Sequence, residues 1–376
     1  MTSRMAFGAP PAAAGHGASG PGDDAWMARA LELALAGWGR VSPNPLVGAV
    51  VVSNGQVVGE GAHREFGGPH AEIEALVAAG ERARGADLHV TLEPCVHHGK
   101  TPPCVDAIIR AGVARVSIAV RDPNPEAGGG AERLRAAGIR VDVGAKVDEA
   151  TELNAAFLHS FRSDRPWITL KLAMSLDSAI ASASGTTSWL TGPAARQRVH
   201  HIRAGCDAIA VGMGTVLADD PLLTVRDAPP PRILPTRVIF SRTGRLPVTS
   251  RLAQRVHEGP VVVFASAPDP NYDHALRSLG VDVVTSNSLI ESMQILRQRE
   301  IRSLLVEGGA SLAAALLEAD LVDRLVLFQA PVLLGKEALP AFGSFSASVS
   351  DTHRFRPLAS EWIGDDHMMV LAPRGH

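Results

Sequence analysis

Three cysteines in 376 residues are too few for a disulfide framework, and nothing else in the sequence asks for an oxidising compartment. Aromatic residues make up only 4%, which excludes a stacking platform for nucleic-acid bases. Neither sign of charge prevails, since 36 Lys and Arg stand against 39 Asp and Glu. That balance leaves no basic stripe for a phosphate backbone. No uninterrupted apolar run reaches the roughly 18 residues of a membrane helix. Residues 1–22, rich in Gly, Ala and Pro, lack the apolar core of a signal peptide and read as a disordered leader. These absences leave a cytoplasmic protein that engages neither membrane nor nucleic acid.

What is present is a globular composition, 46% hydrophobic and 20% charged, in a chain longer than one core usually serves. Apolar spacing predicts a helix over 24–37 closed by Gly37, then a hairpin about Asn54-Gly55. "PHAEIEALVAAGERA" predicts a helix with His70 and Glu72 in its first turn. "ADLHVTLEPC" reads as a buried strand ending at Pro94-Cys95, and "PPCVDAIIRAG" as a helix opened by proline. A strand at "VARVSIAVRDPNP", a further helix and strand, and one helix over 148–162 follow. Pro166 then breaks the pattern. Strands and helices alternate again from "WITLKLAMSLD" to "DRLVLFQAPVLLG". The expectation is α/β architecture in two tandem domains, 23–163 and 164–376, each a sheet layered with helices. The apolar C-terminal strand region points to a homodimer.

A catalytic zinc takes about three His or Cys ligands and keeps one position open. His70, Cys95 and Cys104 supply such a set, and a thiolate at a helix N-terminus is in its metal-binding form. Glu72, two residues from the histidine, matches the glutamate that in zinc deaminases is no ligand but carries protons to the leaving amine. Taken singly, His-Ala-Glu is common and two cysteines serve as buried apolar side chains. The order H-x-E, P-C, C is the deaminase order, except that eight residues separate the cysteines where the general signature has two.

That interval, in "PCVHHGKTPPC", together with "SPNPLVGAVVV" at 42–52, "GAHREFGGPHAE" at 61–72 and "VRDPNP" at 120–125, resembles the bifunctional riboflavin-biosynthesis deaminase/reductase family. The resemblance runs from about residue 24 to the end. It implies an N-terminal cytidine-deaminase-like α/β/α layer holding one Zn²⁺, acting on a phosphoribosylated diaminopyrimidinone. It further implies that Asn44, His63, His97, Lys100, Asp122 and Asn124 meet that substrate. For Asn44 and Asn124 the competing reading is a turn residue before proline.

"LLVEGGASLAAALLEA" reads as strand, glycine pair and helix, a place where backbone amides approach a phosphate but also a common packing device. "KLAMSLDSAIASASGTTSWLT" and "VGMGTVLADDPLLTVR" resemble the reductase half of the same family, whose fold is similar to dihydrofolate reductase. Ser178 stands where that family usually has Gly. The resemblance implies an NADPH site lined by Ala173, Trp189, Thr215, Asp219 and Ser241, with Gly309, Ala310, Ser311 and Leu312 at the phosphates. Thr187, Arg203, Leu223, Arg226 and Glu307 would meet the substrate, where two arginines suit a phosphate. Lys171, read either as a catalytic group or as a strand-end surface charge, would with Asp219 position or protonate the opened sugar. Cys206 reads as a core thiol, and His200 and His201 as ordinary partly exposed helix residues. The reaction implied is deamination followed by reduction of ribosyl to ribityl. Two rival readings are a chain with one active half, and a nucleic-acid binder with a structural zinc. The latter needs a fourth ligand and a basic face, and the sequence offers neither.

Overall fold

The computed structural model describes residues 22–97, 102–182, 190–343 and 355–374. The chain divides into two compact units that meet in sequence at Arg162 and Ser163. In the first, β1 (Gly48–Ser53) and β2 (Gln56–Ala62) form the hairpin expected at Asn54-Gly55. Both turn residues have positive φ, 52° and 73°, which Asn and Gly accept most readily. With β3 (Asp87–Leu92), β4 (Arg115–Val120) and β5 (Arg140–Val143) they make one sheet in the order β2-β1-β3-β4-β5. β1 is antiparallel to both neighbours, and β3, β4 and β5 are parallel.

Side chains alternate between the two faces of this sheet. Val50, Val52 and Ala119 pack on Met27, Ala30 and Leu31 of α1 (Asp23–Ala34). Ala49, Val51, Leu88, Val90, Val116 and Ile118 take the other face, under α2 (Ala71–Ala79), α3 (Cys104–Ala111) and α4 (Gly130–Ala136). The result is a three-layer α/β/α unit.

Two helices depart from the sequence reading. Regular α1 stops at Ala34, and a 3₁₀ turn carries it to Gly37. The single helix expected over 148–162 is two, α5 (Val147–Leu153) and α6 (Ala155–His159). The break falls at Asn154, whose buried amide donates to the Leu46 carbonyl (2.9 Å) and accepts from the Leu46 N–H (2.8 Å). A distant partner thus overrides local helical periodicity.

α2 lies directly on β2 because two glycines permit it. A Cβ on Gly61 would fall 2.1 Å from the Ala71 carbonyl oxygen, and one on Gly59 2.2 Å from that of Ala75. Gly61→Ala is therefore expected to cost about 1–3 kcal/mol in denaturant unfolding, through overpacking. Because it pushes back the start of α2, bound zinc should fall with it.

In the second unit, β6 (Trp167–Met174), β7 (Ala179–Ala181), β8 (Ala208–Gly212), β9 (Thr236–Ser241), β10 (Val261–Ala265), β11 (Asp282–Thr285) and β12 (Ser303–Val306) are followed by β13 (Arg324–Gln329), β14 (Leu339–Pro340), β15 (Phe355–Ile363) and β16 (Asp366–Pro373). Nine of them form a sheet in the order β11-β10-β9-β8-β12-β6-β13-β16-β15, and β7 pairs with β14. The first seven in that order are parallel, and β13, β16 and β15 are antiparallel to one another in turn. β15 and β16 lie beyond the last strand expected from the sequence, and β16 carries strict buried and half-buried alternation.

α7 (Pro193–Ala204) packs through Ala195, Val199 and Ile202 on Leu305, Val326 and Phe328. The opposite face, with Leu170, Leu172, Val238 and Phe264, carries α11 (Leu289–Gln298) and α12 (Ala310–Glu318). α8 (Met213–Asp219) follows β8 directly. Ser178, in the turn after β6, has φ 60°, the left-handed region that explains a glycine preference there.

Candidate active sites

In the first unit β2, β3 and β4 run in one direction, so their carboxyl ends gather at one edge with the start of β1. Ligands in open α/β sheets sit at such edges. Asn44 precedes β1, His63 follows β2, Cys95 follows β3, and Asp122 and Asn124 follow β4. His70 and Cys104 open α2 and α3 at the same edge. His70 is not in the first turn, as expected, but is the N-cap, with extended backbone (φ −75°, ψ 157°). Its carbonyl accepts from the N–H groups of Ile73 and Glu74, while its side chain turns away to the cysteines.

The ligand atoms of His70, Cys95 and Cys104 lie within 4.8 Å of one another. His70 Nδ1 is 3.2 Å from Cys104 Sγ and 3.6 Å from Cys95 Sγ. The Cys104 N–H donates to Cys95 Sγ (3.4 Å), and the Val105 N–H to the Cys95 carbonyl. Hydrogen bonding to Cys104, then to His70, holds the Cys95 thiol well below the usual thiol range. Two sulfurs and one imidazole nitrogen converging this closely fit a tetrahedral zinc with one open position. Glu72, only 4% exposed, lies within electrostatic reach of His70 and Cys95, and burial pushes its carboxyl up.

Around the donors stands a polar chain. His63 Nδ1 meets the Pro69 carbonyl (2.9 Å) and its Nε2 meets Asn44 Nδ2 (3.1 Å). Carbonyl and amide together fix the tautomer, with the proton on Nδ1. The His63 ring stands edge-on to His70, with centroids 5.3 Å apart. Asp122 accepts from the Asn124 N–H (2.9 Å), and Asn124 from the Glu126 N–H (3.1 Å). Burial raises the Asp122 carboxyl to about 6. His97 is exposed beside this loop. Glu93, which the sequence reading does not single out, is buried and accepts from the N–H groups of Asp122 (3.1 Å) and Ala131 (2.9 Å). It ties the end of β4 to the start of α4; the only hint of it in the sequence is a carboxylate at the end of an apolar strand.

In the second unit a cleft of about 810 Å³ opens at the carboxyl ends of the parallel strands. Of the expected cofactor residues, Ala173, Thr215, Asp219, Ser241, Gly309, Ala310, Ser311 and Leu312 all line it, as do Lys171 and Glu307. Gly308 and Gly309 have φ of 76° and 82°, and a Cβ on Gly309 would lie 3.1 Å from Thr215 Oγ1. The glycine pair thus brings backbone and the N-terminus of α12 to the cleft wall, where they favour an anion. Lys100, Thr187 and Trp189 lie outside the described residues.

Alternation along β6 and β12 turns Lys171 and Glu307 to the face covered by α7. There Arg203 grips Glu307 with two hydrogen bonds, one of them 2.9 Å. Arg203 Nη1 also donates to the Thr224 carbonyl (2.8 Å), and Arg226 Nη1 to Thr224 Oγ1 (3.0 Å). Leu223, buried at φ 52°, turns this loop towards α7. Burial would push the Glu307 carboxyl up, but the charge and hydrogen bonds of Arg203, with Lys171, hold it at about 2. Burial lowers the Lys171 ammonium against the pull of Glu307; it is no simple surface charge. His200 also departs from its sequence reading. It is buried, burial and the two arginines hold it at about 4, and its neutral Nδ1 accepts from the Arg226 N–H (3.1 Å). Cys206 packs beside the α7 cluster and donates to the Ile202 carbonyl (3.4 Å).

The fold and these two sites define a two-unit α/β enzyme, with a zinc-type deaminase centre in one unit and a dinucleotide-type cleft in the other. Residues 21–120 match the cytidine and deoxycytidylate deaminase zinc-binding region, and 166–368 the RibD C-terminal domain. The riboflavin biosynthesis protein RibD of Escherichia coli (strain K12) is 44% identical, over 84% of this chain and 89% of its own. That of Aquifex aeolicus is 41% identical, over 92% and 96%. Among solved structures, Acinetobacter baumannii RibD superposes with a TM-score of 0.82 at 40% identity, covering 94% of this chain and 99% of the other. The Thermotoga maritima deaminase/reductase gives 0.81 at 38%, covering 93% and 98%. The chain belongs to the RibD family, the bifunctional deaminase/reductases of riboflavin biosynthesis. Among the described residues no helix is long and apolar enough to cross a membrane.

Proposed function

We propose that residues 23–163 hydrolytically deaminate 2,5-diamino-6-(5-phosphoribosylamino)pyrimidin-4-one, and that residues 164–376 then reduce its ribosyl group to ribityl with NADPH. The observation that carries this reading is the convergence of His70, Cys95 and Cys104 within 4.8 Å, with Glu72 buried beside them. These three residues would hold one Zn²⁺, which when bound supplies the Lewis acidity that makes water nucleophilic near neutral pH. Glu72 passes a proton from the attacking water to the exocyclic amine, so that a C–O bond replaces the C–N bond, water enters and ammonia leaves. Asn44 and His63 orient the pyrimidine, Asp122 and Asn124 shape the loop facing it, and His97 and Lys100 take the ribose phosphate.

In the second unit NADPH, when bound, supplies hydride to C1′ of the opened ribose. The chain's part is placement and shielding from water. Ala173, Thr215, Asp219, Ser241 and Trp189 wall the cofactor, and the backbone of Gly309 to Leu312 meets its phosphates. Thr187, Leu223, Arg203, Arg226 and Glu307 hold the substrate, and Lys171 holds a proton at Nζ for the opened sugar. Reduced thiols at Cys95 and Cys104 suit the cytoplasm, and exposed Trp362 and Leu333 (72% and 73%) suit a homodimer. Incubating the chain with the diaminopyrimidinone alone is expected to give the oxygen-for-amine product by mass. Adding NADPH should give the same product reduced at the sugar. Recovery of substrate unchanged in both arms would overturn the reading.

A further inference from the structure

The cleft of the second unit has a chemically distinct far end. Its wall runs from Lys171 on β6 past Gly309 after β12 to Ser241 and Arg242 after β9, and Ser266 after β10. From β6 to β10 is four strand spacings of about 4.8 Å, roughly 19 Å, the scale of an extended dinucleotide. With the hydride end at Lys171 and the phosphates at Gly309, the adenosine half falls at β9 and β10. Sites that take NAD place a carboxylate against the ribose 2′-hydroxyl, whereas sites that take NADP place an arginine there. Among the described residues lining this end there is no carboxylate; Asp219 belongs to α8, beside the β8 wall.

We infer that Arg242 is the residue that recognises the 2′-phosphate of the cofactor and so sets its preference for NADPH over NADH, an inference that rests on the NADPH reading above. Arg242 is exposed to the cleft. Its neighbour Arg245 is committed elsewhere, paired with Asp269 at 3.0 Å and lying over the Tyr272 ring. The Arg242 backbone is held in place: its carbonyl accepts from the Ala267 N–H (2.9 Å) and Ser266 Oγ (3.3 Å). Ser241 Oγ accepts from the Gly244 N–H (3.0 Å), closing the turn that carries Arg242 at its apex. A guanidinium on a braced turn offers a phosphate the paired donors it bonds best.

The test is equilibrium binding to the full chain of NADPH, NADH and adenosine 2′,5′-bisphosphate, for the wild type, Arg242→Ala and Arg242→Lys. Arg242→Ala should weaken NADPH and the bisphosphate by roughly 10- to 100-fold and leave NADH unchanged. Arg242→Lys, a point charge without the fork, should fall between. The melting temperature should stay put, which separates lost recognition from lost fold. A wild type that binds NADPH no better than NADH would overturn both the NADPH reading and this inference. A wild type that prefers NADPH, with the preference intact in Arg242→Ala or with NADH weakened equally, would overturn the inference alone.

Discussion

Glu72→Gln is expected to lower deamination by about 10²- to 10⁴-fold, the usual worth of a positioned proton carrier, while the chain still binds one zinc. The amide fills the same volume but can neither take nor give the proton. The three donors of the metal come from other residues, so the ligand set is intact. Metal content by elemental analysis and product by mass check both halves of the claim. Reduction of substrate supplied already deaminated should proceed at the wild-type rate, because Lys171, Arg203 and Glu307 belong to the other unit. Loss of the zinc together with activity would make Glu72 a structural group instead.

Arg203→Ala is expected to abolish reduction, leave deamination in place, and destabilise the second unit by about 3–5 kcal/mol. The side chains of Arg203 and Glu307 are only 11% and 9% exposed. Removing the guanidinium leaves a buried carboxylate, with the Thr224 loop untethered. Urea unfolding read separately from deamination should show this, and Arg203→Lys should recover little, because an ammonium cannot make both bonds at once. The pair also ties stability to pH. Glu307 is held at about 2 in the fold, below the roughly 4.3 of a free glutamate. Its stabilising contribution is therefore complete above that free value and lost as pH falls towards about 2. Glu307→Gln should flatten acid unfolding across that window. Unchanged stability and reduction in Arg203→Ala would remove the ion pair from the site.

Much of this architecture is legible in the residues themselves. The Asn54-Gly55 hairpin, the strands of both sheets up to β13, and the cysteines at a strand end and a helix start follow from periodicity and turn chemistry. Asn154 is not legible as a helix break, because its partner Leu46 is 108 residues away. His200 reads as one of a pair of helix histidines. Only packing of α7 against the loop of Arg226 makes it a buried acceptor. Glu93 likewise gains its role from two N–H groups on other elements.

The sequence by itself determined the chemistry on offer: one imidazole, two thiols and a carboxylate in deaminase order, and a glycine pair before a helix. Those properties are local, set by residue type and spacing. The tertiary structure alone decided which of them meet. Parallel strands bring their carboxyl ends to one edge, and alternation along β6 and β12 turns Lys171 and Glu307 to the helix that carries Arg203. Burial there lowers the Lys171 ammonium, while Arg203 keeps Glu307 ionised against the same burial. Convergence and burial depend on residues far apart in the chain, so no window of sequence contains them.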